Sequence, residues 1–250
     1  MIRDTTKAHA FAVSDPYERN FFLTYVALIW AATTIGFGLE IKEKLAEGSL
    51  HYPLIVHAHA LIFVGWLVLL TTQIALIRRG NYALHRRLGI VALILIPLMI
   101  FVAPATVIVS KVIKYGHPDT SFPFMSTQFT NVLASNVLFI AGLCLRRSSS
   151  AHKRLMLMGT LVIFEPGFRR IVGYLLDHKF HDGFWPYFLE TYGGSFTLMM
   201  GLGVYDLIRH QKLNPAYVVA LLWCLANQIA ATWLYYQPWW AHLTTQLSGH

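Results

Sequence analysis

Charge is scarce in this 250-residue chain: only 13% of its residues are Asp, Glu, Lys or Arg, against about a quarter in a typical soluble domain. Cysteine is scarcer still. Cys144 and Cys224 both fall inside apolar runs, and no Cys-x-x-Cys pair exists for zinc or thiol redox chemistry. There is no Gly-x-Ser-x-Gly elbow, no His-Glu-x-x-His helix and no pair of histidines four apart. These absences argue against a serine hydrolase, a zinc protease and a membrane di-iron hydroxylase. The chain also lacks a flexible linker and a low-complexity tract. Residues 1–19 are polar and do not show the charged, apolar, small-residue order of a cleaved signal peptide.

What remains is apolar. Hydrophobic residues make up 56% of the chain and come in runs of about 20, the length that crosses a hydrocarbon core. The expected fold class is all-α, a polytopic membrane helical bundle. Seven transmembrane helices are predicted at 20–40, 53–77, 87–110, 125–145, 154–175, 193–209 and 216–236. Residues 1–19 are read as a cytoplasmic segment, 20–236 as the transmembrane domain and 237–250 as an outer tail. Pro53, Pro123 and Pro215 stand at or near span starts, where a missing N–H costs nothing. Pro97, Pro104 and Pro166 lie inside spans and should kink them.

The net charge of +8 does not point to nucleic acid, because the basic residues sit in short turns between spans. Two of these turns match. Arg78-Arg79 is followed by His85-Arg86-Arg87-Leu88, and Arg146-Arg147 by His152-Lys153-Arg154-Leu155. The match predicts an internal helix-pair repeat, spans 2–3 and 4–5. Lys and Arg concentrate in the N-terminal segment and in the 2–3, 4–5 and 6–7 connections. On the other side stand Lys42, Lys44, Lys111, Lys114 and Lys179. By the positive-inside rule the N-terminus is cytoplasmic and the C-terminus outside. Trp233, Tyr235, Tyr236, Trp239, Trp240 and Phe184-Trp185 fit an aromatic belt at the outer interface.

Across most of spans two to seven the chain resembles an uncharacterised bacterial family of seven-helix membrane proteins. The resemblance is carried by Gly65-Trp66, His85-Arg86-Arg87-Leu88-Gly89, His152-Lys153-Arg154-Leu155-Met156, Tyr205-Asp206-Leu207 and Asn214-Pro215-Ala216-Tyr217. The family often has His-Pro where this chain has Asn214-Pro215. The helix, basic turn and His-Arg unit is also similar to membrane proteins of cytochrome oxidase assembly and to b-type cytochromes. These resemblances imply a bacterial inner-membrane address and the seven-helix architecture. They imply no settled activity.

Ionisable groups inside a membrane are costly, about 2.5–3.5 kcal/mol each on insertion scales, and mark candidate functional sites. At ~1.5 Å per helical residue, His57 and His59 lie ~6 and ~9 Å below the outer surface, and Asn131 and Asn227 each ~12 Å. Glu165 lies ~14 Å and Arg169 ~8 Å from that surface by the same count. The sequence therefore predicts an outward-facing polar cavity lined by His57 or His59, Asn131, Glu165, Arg169, Asn227 and Gln228. A plainly structural reading stands beside it. Glu165 and Arg169 are spaced for a same-helix ion pair, and the amides can simply tie helices together. His57 and His59, two apart, point ~200° from each other on a regular helix. His59 shares a face with Trp66 and Gln73 and is the better interior candidate.

Two sets of ligands follow. A copper, zinc or iron ion would draw on His57, His59 and Glu165, with His51, His117, His178 and His181 in outer loops as further donors. The stretch 177–182 combines imidazoles and carboxylates, though a solvated loop explains it equally. A haem b would draw on His59, His85 and His152, with Arg169 for a propionate, because two neutral imidazoles from different helices are what it needs. The basic tetrads also read as interfacial anchors, and Asp206 with Arg209 as a helix-end ion pair. Three functions are consistent with these residues. The first is a haem- or metal-binding redox or respiratory-assembly protein. The second is a small-molecule or proton-coupled transporter. The third is an accessory structural subunit. The partners implied are the lipid bilayer and, on the assembly and accessory readings, a respiratory or other membrane complex.

Overall fold

The computed structural model describes residues 16–48, 52–113, 122–176 and 183–247. The described residues form helices and short turns, without a strand. In chain order the helices are α1 (Pro16–Ala46), α2 (Leu54–Arg78), α3 (Tyr82–Ile113), α4 (Met125–Cys144), α5 (Ser149–Ile163), α6 (Glu165–Leu176), α7 (Phe184–His210), α8 (Pro215–Tyr235) and α9 (Pro238–Leu247). Five are long and apolar enough to cross a membrane: α1 from Asn20 onward, α2, α3, α4 and α8. Large apolar side chains cover their outer faces, among them Leu61, Ile90, Leu93, Phe101 and Val219. Contiguous exposed apolar surface of this kind suits lipid and is rare on a soluble monomer.

Two sequence expectations change in detail. The fifth span, 154–175, is not one helix. It divides at Phe164 into α5 and α6, because Pro166 has no N–H to offer the Val162 carbonyl. The tail predicted at 237–250 carries a short helix, α9. Pro97 and Pro104, by contrast, are absorbed within α3, which continues through both.

Helix α5 is the hub. It packs against α4, α6, α7 and α8, while α4 packs against α3, α5 and α8. Leu157, Met158, Leu161 and Val162 of α5 are almost inaccessible. Across from them Trp66 lies on the Phe139 ring at 4.2 Å and donates its indole N–H to Thr160 Oγ1 at 3.2 Å. Helices α1 and α6 meet backbone to backbone: a Cβ at Gly36 would collide with the Gly167 carbonyl, and one at Gly167 would lie 3.0 Å from Ala32 O. Small residues at a crossing permit this close approach.

The two basic turns share a backbone bond at the start of the next helix but differ in their caps. Gly80 takes a positive φ of 72° after α2, the left-handed stop that glycine favours. Asn81 then accepts from Leu84 N at 3.1 Å, capping α3. The His85 amide bonds Asn81 O at 3.1 Å and the His152 amide bonds Ser148 O at 2.9 Å. Each histidine therefore sits four residues beyond its cap, one turn into its helix.

Candidate functional site

Three consecutive residues stand about one turn into α5, and each step along a helix turns about 100°. His152, Lys153 and Arg154 therefore point in three directions. Lys153 Nζ reaches Glu18 Oε2 of α1 at 2.5 Å. Arg154, 0% exposed, grips Asp206 of α7 through both Nε, at 2.9 Å to Oδ2, and Nη2 to Oδ1. Its Nη2 also lies 3.5 Å from Glu18 Oε1, and its Nη1 donates to Ser150 O at 3.1 Å and Ser150 Oγ at 3.0 Å. Asn214 completes the group. Its side chain donates to Ser150 Oγ at 2.6 Å and accepts from Ala216 N at 2.9 Å, and its amide reaches Asp206 Oδ2 at 3.3 Å. Two cations and two carboxylates balance, so the buried network carries no net charge.

This corrects one sequence expectation: Arg154 is not an interfacial anchor but is fully buried against Asp206. The network ties α1, α5, α7 and the start of α8 together directly behind His152.

The third direction brings His152 to His85. Their ring centroids are 6.4 Å apart and their planes 86° from parallel. His152 Nδ1 lies 2.8 Å from the Gly142 carbonyl. That contact makes Nδ1 the protonated nitrogen of the neutral ring and leaves Nε2 as its lone-pair donor. His85 Nδ1 is buried without a hydrogen-bond partner, and so is Gln73 Oε1. Gln73 packs beside Gly89, where an added Cβ would lie 3.7 Å from its amide nitrogen. The pair therefore brings imidazoles from two different helices together, with two buried polar atoms beside them lacking hydrogen-bond partners.

A second cluster lies between α4, α6 and α7. Glu165, 1% exposed, opens α6 immediately after the helix break. Its Oε2 accepts from Asn131 Nδ2 at 2.9 Å, while Oε1 is buried without a hydrogen-bond partner. One turn before Asn131, Thr127 Oγ1 shares a hydrogen bond with Tyr187 OH at 2.8 Å and accepts one from Tyr192 OH at 3.3 Å. Arg169, paired with Glu165 in the structural reading, still acts on the Glu165 charge and also makes contacts elsewhere. Arg169 faces Glu190 at 3.7 Å and stacks over the Phe124 ring at 4.4 Å.

The remaining candidates scatter. His57 is exposed. His59 stacks on Phe63 at 4.0 Å, and its Nδ1 is buried without a partner. Phe63 in turn touches Phe164 at the helix break, 6.4 Å between rings. Asn227 donates to Trp223 O of its own helix at 2.8 Å. Gln228 is buried, with Oε1 unpartnered. Among the described residues no three His, Cys, Asp or Glu side chains group closely enough to hold a metal ion. The set His57, His59 and Glu165 is thus not assembled. Arg169 lies 17 residues past His152, roughly 25 Å along the α5–α6 direction, so it does not serve the His85–His152 pair. His51, His117, His178, His181 and the 177–182 loop lie outside the described residues.

Sequence reasoning missed Glu18, Thr127, Tyr187 and Tyr192. A signal existed for Thr127, which precedes Asn131 by one helical turn and so shares its face. Compared with known proteins, the chain matches no family model, no curated protein and no solved structure.

Proposed function

We propose that this chain is a seven-span bacterial inner-membrane protein that binds a b-type haem through His85 and His152. In this reading the N-terminus is cytoplasmic, the C-terminus is outside and the histidine pair lies near the cytoplasmic surface. Spans 2–3 and 4–5 are two copies of one helix-pair unit, and each would contribute one histidine to hold the haem. The activity is electron transfer, or the assembly of a respiratory complex.

The observation that carries the reading is the separation of the two rings. A haem b would be held by two imidazoles from different helices. The observed spacing is 6.4 Å. The Gly142 carbonyl fixes the His152 tautomer, as an outer hydrogen bond does for metal-ligating histidines. Arg154 and Asp206 hold the first turn of α5, and so His152, against α7 and α8. Arg86, Arg87, Arg146 and Arg147 are exposed around the same turns and supply positive charge for carboxylates. A haem bound there supplies one-electron redox chemistry.

The test is the absorbance spectrum of the detergent-purified protein, oxidised and dithionite-reduced, with iron analysis on the same sample. A Soret band, a sharpened α-band on reduction and stoichiometric iron are expected. A colourless, iron-free protein from cells supplied with haem precursor sinks the reading.

A further inference from the structure

We propose that the groove between α3 and α4 binds one anionic phospholipid, with an acyl chain along Leu93, Pro97 and Ile140 and its phosphate on Arg146.

The argument begins with the shape of the seam. Helix α3 packs more extensively on α2 than on α4. Leu93, Ile96, Pro97 and Ile100 recur at the three- and four-residue spacing that puts them on one face of α3. That face borders α4 across an open groove of about 370 Å³, with Ile140, Leu143 and Cys144 on the far wall. Pro97 and Cys144 are shorter than the leucines and isoleucines beside them, so the seam is hollow there. Leu93 and Ile140 are 59% and 50% exposed, and the groove therefore opens to the lipid side of the bundle. Apart from Arg146, every lining side chain is apolar. Lipid tails are as apolar as these side chains, so the groove takes a chain readily, and its charged end decides which lipid is held.

That end is Arg146, two residues past the end of α4. Its Nη1 donates to Leu143 O at 3.2 Å, and among the described residues no carboxylate pairs with it. Its guanidinium fork keeps N–H donors for a phosphate, the group such a fork grips best. Arg86, exposed, stands two helical turns before Leu93 on the same face of α3 and adds positive charge at the same end. A zwitterionic headgroup would bring its own cation against these arginines, whereas an anionic one would not. A second copy of the chain would have to bring a carboxylate to Arg146. Its described acids at this end, Glu18 and Asp206, are already held by Lys153 and Arg154. The proposal rests on the bilayer setting of the chain and not on haem.

The experiment is thermal unfolding of the purified full-length protein in neutral detergent, titrated with phosphatidylglycerol or with phosphatidylcholine of the same acyl chains, in samples of equal haem content. Binding stabilises the folded state by mass action. The midpoint should rise saturably with phosphatidylglycerol, by about 5 °C at high occupancy, and should respond little to phosphatidylcholine or to inorganic phosphate. Arg146→Gln should raise the half-effective phosphatidylglycerol fraction about fivefold, the worth of one surface cation toward anionic lipid. Ile140→Trp, which fills the groove and keeps the arginine, should weaken the response as well; Leu93→Gln replaces it if that variant does not fold. Arg79→Gln, at an exposed arginine outside the groove, should respond like the wild type. Equal responses to the two lipids overturn the proposal. So does an undiminished response in Arg146→Gln or in the groove variant, or an equal loss in Arg79→Gln, which would mean diffuse surface charge. A lipid-indifferent protein that sediments as a dimer, and as a monomer once the groove is filled, would assign the groove to a second copy and overturn it too.

Discussion

Arg154 and Asp206 form a two-pronged ion pair, Nε to Oδ2 at 2.9 Å and Nη2 to Oδ1, with both side chains at 0% exposure. Glu18 and Lys153 extend the pair to α1. The pair is the brace that sets the opening turn of α5, and His152 stands on that turn two residues earlier.

Removing one partner therefore leaves a buried charge. Arg154→Ala or Asp206→Asn should destabilise the protein by about 3–5 kcal/mol, read as a lowered unfolding midpoint in detergent. Arg154→Lys should also destabilise, because an ammonium cannot reproduce the planar fork. The joint replacement Arg154→Met with Asp206→Leu should recover much of the loss, since it removes both charges together. A midpoint unchanged in the single variants would mean that the pair bears little of the packing.

The helical architecture is legible in the sequence because apolar runs of bilayer length carry it directly, and the basic turns announce their own boundaries. The histidine pair is legible through the match between His85 and His152. The brace is not. In sequence, Arg154 looks like one more cation in a basic turn, and its burial follows only from the rotation of α5 against α7 and α1. Glu18 was hidden for the same reason: it lies in the polar segment before the first span, and its partner is more than a hundred positions away. The Glu165–Arg169 spacing points to a local interaction, which the structure keeps; what the spacing does not show is that Arg169 also reaches Glu190 on α7.

The α1–α6 crossing should be intolerant of side-chain volume. A Cβ at Gly36 meets the Gly167 carbonyl, so Gly36→Ala forces the helices apart and should cost about 1–3 kcal/mol. Gly65, with nothing within 4 Å of its Cβ position, is the control: Gly65→Ala should leave the unfolding midpoint unchanged or slightly higher. Equal midpoints for the two variants would contradict the crossing.

Asn214 is both a helix cap and a member of the brace. Asn214→Ala removes the bonds to Ala216 N and Ser150 Oγ and should cost about 1–2 kcal/mol. Asn214→Asp keeps the cap acceptor but brings a second negative charge beside Asp206. It should be the more damaging of the two, and an unfolding series in detergent ranks them.

Topology has its own test. In a background carrying Cys144→Ser and Cys224→Ala, Asn81→Cys and Ser148→Cys should react with a membrane-impermeant maleimide only after the cells are opened. Gln237→Cys should react in intact spheroplasts. Labelling of Asn81→Cys from outside would invert the proposed orientation.

The central claim is that His85 and His152 jointly ligate one haem. Its most direct test is the haem-to-protein ratio, measured as the pyridine haemochrome, in the purified wild type and in folded His85→Ala and His152→Ala variants. The account predicts a ratio of one for the wild type, with either variant losing the haem while His59→Ala retains it. A wild-type ratio near zero, or haem retained in both variants, would contradict it.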